Sequence, residues 1–126
     1  VLIGASNEFA AGQEIAGNHS RVFNICGKTN IETAGAVLSI AKLFIGNDSG
    51  LAHLAAAVET PLVVLSGADN PVETSPISDK KTVVIKSHLN CISCVKNECP
   101  KKGDDYMRCM KEITVDEVLG AVMARL

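Results

Sequence analysis

Short apolar runs alternate with amphipathic stretches along this chain. Val1-Leu2-Ile3, Arg21-Val22-Phe23-Asn24-Ile25, Leu43-Phe44-Ile45, Leu62-Val63-Val64-Leu65 and residues 82–86 are brief and rich in aliphatic side chains, and most end at a Gly or Ser. They predict strands. Between them the period becomes helical. Residues 8–16 set Phe9, Ile15 and Ala16 on one side. Ile31, Ala34, Leu38 and Ala41 recur at i, i+3, i+7 and i+10, and Leu51, Leu54, Ala55 and Val58 at i, i+3, i+4 and i+7. Pro61 stops the latter helix. Val115, Val118, Leu119, Val122 and Leu126 predict a buried stripe on a final helix. Two helices open on Thr-x-x-Glu, Thr29 with Glu32 and Thr114 with Glu117, which predicts two capping boxes, and Ile113 is placed to staple against Val118. Residues 68–80, with Pro71 and Pro76, predict a loop, and 87–112 an irregular segment.

Alternating strands and helices imply βαβ units and a parallel sheet, and continuous apolar strands imply helices on both faces. The expected fold class is α/β and Rossmann-like, with residues 1–126 as one domain. In such sheets ligands bind beyond the carboxyl ends of the strands. Three of these ends are polar or glycine-rich: residues 4–8, 47–50 and 66–69. They are expected to gather along one edge.

The middle end carries the most chemistry. Ile45-Gly46-Asn47-Asp48-Ser49-Gly50-Leu51-Ala52-His53 runs from strand through turn to helix. Amides at a helix start have no partner within the helix, and with the helix dipole they attract an anion. Gly50 allows a phosphate close to the backbone, Ser49 adds a hydroxyl, and His53 lies one turn on along the same face. Asp48 repels phosphate but accepts hydrogen bonds from sugar hydroxyls. Phosphate beside sugar describes a nucleotide sugar. The alternative at this point is local: Asp48 or Ser49 serves as an N-cap worth about 1 kcal/mol, and His53 is a solvated surface histidine.

The run Phe44-Ile45-Gly46-Asn47-Asp48-Ser49-Gly50-Leu51-Ala52-His53-Leu54-Ala55-Ala56-Ala57, followed by Thr60-Pro61 and Leu62-Val63-Val64-Leu65-Ser66-Gly67, resembles the ADP-heptose:lipopolysaccharide heptosyltransferases of glycosyltransferase family nine. That family shows Asp-Ser/Thr-Gly-x-x-His-Leu-x-Ala-Ala, then Pro, an apolar strand and Gly. Residues 4–8 resemble its Gly-x-x-x-Glu segment, Gly27-Lys28-Thr29 its nucleotide-lining segment, and Pro71 a proline of its following loop. The resemblance implies a GT-B fold of two Rossmann-like domains, of which this chain matches the C-terminal, donor-binding one. The N-terminal acceptor domain, with its presumed aspartate base, and the family's basic phosphate-binding residue fall outside the chain.

By the same resemblance Asp48 contacts the donor sugar, Ser49 and Gly50 hold the diphosphate, and His53 lies beside it. Glu8 takes the ribose hydroxyls and Thr29 lies near adenine. The implied reaction is inverting transfer of heptose from ADP-heptose to the lipopolysaccharide inner core, with no obligatory metal. The implied partners are ADP-heptose or a related nucleotide sugar, and a lipopolysaccharide core acceptor reached through the other domain. No catalytic residue is expected within this chain. Another GT-B nucleotide-sugar enzyme, or a non-enzymatic nucleotide- or zinc-binding module, are the alternatives.

Composition narrows the field. Of 126 residues, 47% are hydrophobic and 3% aromatic, with no Trp and a formal net charge of -2, which argues against nucleic-acid binding. No apolar run is long enough to span a bilayer. The first residue is Val1, inside an apolar run, so the chain is expected to be a piece of a longer one. The expected location is the cytoplasm, with a peripheral position at the inner membrane's inner face as the variant of that expectation. Five cysteines, four of them clustered, do not suggest a secreted disulfide framework. Cys91, Cys94, Cys99 and Cys109 are the ligand set for a possible structural zinc; reduced thiols in a loop, or a disulfide, are the alternatives. Cys26 is expected in the core. His19 and His88 fall near loops without evident partners.

Overall fold

A computed structural model describes residues 1–126. The chain divides into two compact units, Val1–Val37 and Leu38–Leu126.

In the first unit, Leu2 and Asn24 form a parallel bridge. Leu2 N donates to Phe23 O (2.8 Å), Ile25 N to Leu2 O (2.9 Å) and Gly27 N to Gly4 O (2.9 Å). The two expected strands thus shrink to one bridged pair. Asn24 braces the second segment from the side: its Oδ1 accepts the Cys26 amide (3.1 Å) and its Nδ2 donates to Phe9 O (2.9 Å). A 3₁₀ turn, Ser6–Glu8, leads into α1, Phe9–Ala16. Its buried side is Gly12 and Ala16, while Ile15 is exposed, which corrects the expected apolar side. A Cβ on Gly12 would lie 2.6 Å from Asn24 Oδ1, so the helix seats its bare backbone on that amide. Cys26 is buried, as expected.

Helix α2, Ile31–Ser39, crosses into the second unit at Leu38. Its start is not the expected Thr29–Glu32 box. Asn30 Oδ1 accepts the Thr33 amide at 2.8 Å, because Asn is as good an N-cap as Thr and stands one residue nearer.

The second unit is built on a parallel sheet of order β1-β2-β3, with β1 Phe44–Asn47, β2 Leu62–Ser66 and β3 Lys81–Ile85. Leu62, Val63 and Val64 are all fully buried. Because alternate strand residues face opposite ways, β2 is covered on both faces. β1 is not: Phe44 is buried but Ile45 is exposed. One core cluster joins Leu38, Phe44, Leu62 and Val64 to Ala52 and Ala55 of α3, Gly50–Ala57.

That helix ends before Pro61 through a different device. Glu59 adopts a left-handed φ of 62°, and Thr60 N reaches back to Ala55 O (2.9 Å). The buried Thr60 hydroxyl donates to Leu38 O (2.7 Å).

The 87–112 segment is irregular, with a 3₁₀ turn at Gly103–Asp105 and a short helix α4, Arg108–Lys111. Helix α5, Val115–Met123, carries the expected Thr114–Glu117 capping box. Its expected buried stripe is overturned in part: Val115, Leu119 and Leu126 are exposed. The helix is held instead through polar ends, Lys86 Nζ on Glu117 Oε1 and Arg125 on Thr82 Oγ1 (2.8 Å) and Lys81 O (2.6 Å). No helix is long and apolar enough to cross a membrane.

Candidate functional site

Strand β1 delivers Asp48 at its carboxyl end, where the Asp48 amide still donates to Leu65 O of β2 (3.2 Å). Ser49 then turns extended (φ −155°, ψ 172°) and α3 begins at Gly50. Helix α3 therefore starts at the carboxyl edge of the sheet. Within the helix the first accepted bonds are Ala52 N and His53 N on Ser49 O (3.0 and 3.2 Å), which leaves the amides of Gly50 and Leu51 without a partner in the helix.

Neither neighbouring side chain caps them. The Ser49 side chain makes no capping bond. Asp48 is only 5% exposed as a side chain, and its buried Oδ2 has no hydrogen-bond partner. This removes the purely local explanation of Asp48 and Ser49 as N-cap residues. A Cβ placed on Gly50 would meet nothing within 4 Å, so the chain's own packing does not require a glycine there. What the glycine leaves is open space over free amides.

His53 stands half exposed, its Nε2 3.8 Å from Asp48 Oδ1, which is an electrostatic contact and too long for a hydrogen bond. Burial pushes the Asp48 carboxyl above its ordinary value, and the charge of Asp69 pushes it further; His53 and Lys81 oppose this. Sequence reasoning put Asp69 in one of the three polar strand ends but gave it no role. The only signal was its place just after the second strand of the motif.

Asp48, Ser49, Gly50 and His53 thus come together in one turn and one helix start. Glu8 and Thr29 belong to the first unit, and each follows the carboxyl end of one of its two bridged segments. Glu8 Oε2 accepts the Ala5 amide (2.6 Å), so one carboxylate oxygen holds its own turn. Gly27 is left-handed (φ 72°), and a Cβ there would lie 2.7 Å from Ser6 Cα, so only glycine lets these two backbones touch. Thr29 does not cap α2, since Asn30 does.

Cys91, Cys94, Cys99 and Cys109 all line one cavity of about 650 Å³ and all are free thiols. Their thiols lie close enough for Cys91, Cys94 and Cys99 to act electrostatically on Cys109, but they do not stand at ligand positions around one common point here. Cys99 Sγ is taken by the Met107 amide at 3.4 Å, which holds that thiol below its ordinary value, whereas burial raises the Cys109 thiol. Ser93, Val95 and Met107 are left-handed around the cluster. The segment is bolted to the end of β2 by Ser93 N on Gly67 O (2.9 Å) and Val95 N on Ala68 O (2.7 Å). His88, expected to lack a partner, bonds Glu112 (3.1 Å), which also holds Arg108.

The family model of glycosyltransferase family 9 (heptosyltransferase) matches residues 1–104. The chain belongs to glycosyltransferase family 9. Among members of that family, it is 39% identical over 123 residues to lipooligosaccharide heptosyltransferase 2 of Haemophilus influenzae, covering 94% of this chain and 35% of that protein. It is 32% identical over 99 residues to lipooligosaccharide heptosyltransferase 2 of Campylobacter jejuni, covering 79% of this chain and 30% of the relative. The structure of E. coli ADP-heptose lps heptosyltransferase II superposes with a TM-score of 0.75 at 31% identity, over 98% of this chain and 35% of that one. The α/β architecture is therefore that of part of the GT-B transferases, as the sequence implied. The chain spans about a third of the length of these family 9 relatives.

Proposed function

We propose that this chain is the donor-binding part of a heptosyltransferase that moves heptose from ADP-heptose onto the inner core of lipopolysaccharide. One observation carries the reading. A helix start at the sheet's carboxyl edge leaves its amides, the Ser49 hydroxyl and the buried Asp48 Oδ2 all unpartnered, beside the open space above Gly50. Buried polar atoms ordinarily find a partner, and here the chain does not supply one.

In this scheme Gly50 and Leu51 N–H and the Ser49 hydroxyl donate to the diphosphate, and the positive end of α3 stabilises the charge that develops as ADP leaves. Asp48 accepts from heptose hydroxyls and fixes the sugar's orientation. His53 lies along the same face, next to Asp48, where its ring can donate to a phosphate oxygen. In the first unit, Glu8 takes the ribose hydroxyls with the carboxylate oxygen its turn leaves free, and Thr29 lies near adenine. The proton of the acceptor hydroxyl is taken by a base outside these residues, and no metal is required by the scheme. The acceptor, a lipopolysaccharide core, meets the relatives' remaining two-thirds, at the cytoplasmic face of the inner membrane.

Titration calorimetry of the chain with ADP and with ADP-heptose tests this. Binding of both is expected, and Asp48→Ala is expected to weaken the sugar nucleotide far more than ADP. The chain alone is expected to transfer no sugar. Failure to bind either ligand overturns the proposal, as does turnover by the chain alone.

A further inference from the structure

The turn after β2 holds a carboxylate without a structural task. β1 and β2 run parallel, with Asn47 beside Leu65, so the residues leaving the two strands emerge side by side. Asp48 leaves the first and Asp69 the second. The backbone of that second turn is fixed independently of the Asp69 side chain. The buried Ser66 hydroxyl donates to Asp69 O (3.4 Å), Val95 N donates to Ala68 O (2.7 Å), and the residue that caps the next turn is Asn70, whose Oδ1 accepts the Val72 amide (3.2 Å). The Asp69 carboxylate is exposed and receives no hydrogen bond from the chain.

Its charge nevertheless reaches Asp48 and disfavours the ionised form of that carboxyl. A second negative charge whose field reaches a carboxyl that is 5% exposed and has a buried, unpartnered Oδ2 is unfavourable by itself. Lys81 Nζ donates to Pro76 O (2.7 Å) and acts on Asp48 through its charge, without an ion pair to either carboxylate. An ion shared by the two would need more ligands than converge here. Hydroxyl donors of a polyol relieve both carboxylates at once: each accepts hydrogen bonds without an added charge.

We infer that Asp69 is a specificity-determining residue which, with Asp48, receives hydroxyls of the donor sugar, while the start of α3 receives the diphosphate. This rests on the donor-binding reading above. It adds a division of labour across two strand ends: α3 recognises any nucleoside diphosphate, and the two carboxylates select for the polyhydroxyl group attached to it.

The test is calorimetry of the chain and of its Asp69→Asn, Asp69→Ala and Asp69→Glu variants, with ADP and with ADP-heptose, in the presence of a chelator. Asp69→Asn and Asp69→Ala are expected to weaken ADP-heptose about tenfold and to leave ADP unchanged or slightly tighter, with Asp69→Glu restoring part of the loss. The acid fall-off of ADP-heptose affinity is expected to move to lower pH in Asp69→Asn, because the neighbouring charge that favours protonation of Asp48 is gone. Circular dichroism and melting confirm that the exposed substitutions fold. An unchanged ratio of ADP-heptose to ADP affinity in Asp69→Asn, or sugar binding that depends on a divalent cation, overturns the inference while leaving the donor reading intact. Wild type that binds neither ligand overturns the donor reading itself.

Discussion

Two helices of the second unit begin in opposite ways. α5 completes its own hydrogen bonding: the Thr114 hydroxyl accepts the Glu117 amide (3.3 Å), Glu117 reaches back to the Thr114 amide (2.7 Å), and Asp116 and Glu117 place negative charge in the first turn. α3 does none of this. Its N-cap serine makes no side-chain bond, and its first turn holds no acid. A helix start that only has to be stable collects acceptors, since each contributes about 0.5–2 kcal/mol. One that forgoes them keeps its donors for something else. On the function proposed above, with Asp48 buried beside those donors, that something is the donor substrate.

The comparison is most easily broken at Gly50. A Cβ at Gly50 meets nothing of the chain within 4 Å, and Gly50→Val fills the space above the free amides, so ADP affinity is expected to fall on the order of a hundredfold, the loss of two hydrogen bonds to a charged group. The melting temperature, measured alongside, is expected to stay near that of wild type. A large loss of stability with unchanged ADP binding would mean that the glycine serves packing alone.

Thr114→Ala is the converse. It is expected to cost about 1 kcal/mol, read as a drop of about 3 °C in Tm, with ADP affinity unaltered. Ser49→Ala at the equivalent N-cap position of α3 sharpens the contrast: stability within about 0.5 kcal/mol of wild type, but ADP bound about fivefold more weakly. Equal destabilisation by the two substitutions would erase the distinction between the two helix starts.

The smallest effect concerns pH. Lys86, chiefly, and Thr114 hold the Glu117 carboxyl down to about 2, from an ordinary 4.5. A carboxyl whose folded value lies below its unfolded one stabilises the fold above the unfolded value and loses that contribution as pH falls. The anchoring of α5 is therefore expected to be complete above about pH 4.5 and to weaken from there towards pH 2. Acid melts of Glu117→Gln are expected to be flatter than wild type across that window.

The sequence pattern carries most of the second unit because its signals are local. A strand, a turn and a helix follow one another in residues 44–57, and the order alone puts Asp48 to His53 at the sheet's carboxyl edge. What it did not carry depends on distant neighbours. Whether Ser49 caps α3 turns on a rotamer, and a Ser-Gly pair opening a helix reads the same either way. The α2 start slipped by one residue because Asn30 outcompetes Thr29. The α5 stripe was drawn from periodicity, which marks an apolar face but not what covers it, and Val115, Leu119 and Leu126 are exposed. Four cysteines in one segment do come to line one cavity, but the left-handed turns at Ser93, Val95 and Met107 that shape the segment have no signature in the sequence. Asp69 was placed at a polar strand end on the expected edge, but its influence on Asp48 lies in a neighbour on another strand and was not legible.

The left-handed glutamate that ends α3 has a practical use. At φ 62° the Glu59 side chain crowds its own backbone, a cost of about 1 kcal/mol that glycine avoids. The ion pair it makes with Lys80 is solvent-exposed at 3.6 Å and adds little. There is thus slack at the far end of α3 from its start. Anyone seeking a hardier chain for crystallisation or screening has a place to tighten it, Glu59→Gly, eight residues or more from every group assigned to the sugar nucleotide on α3's first turn bar His53.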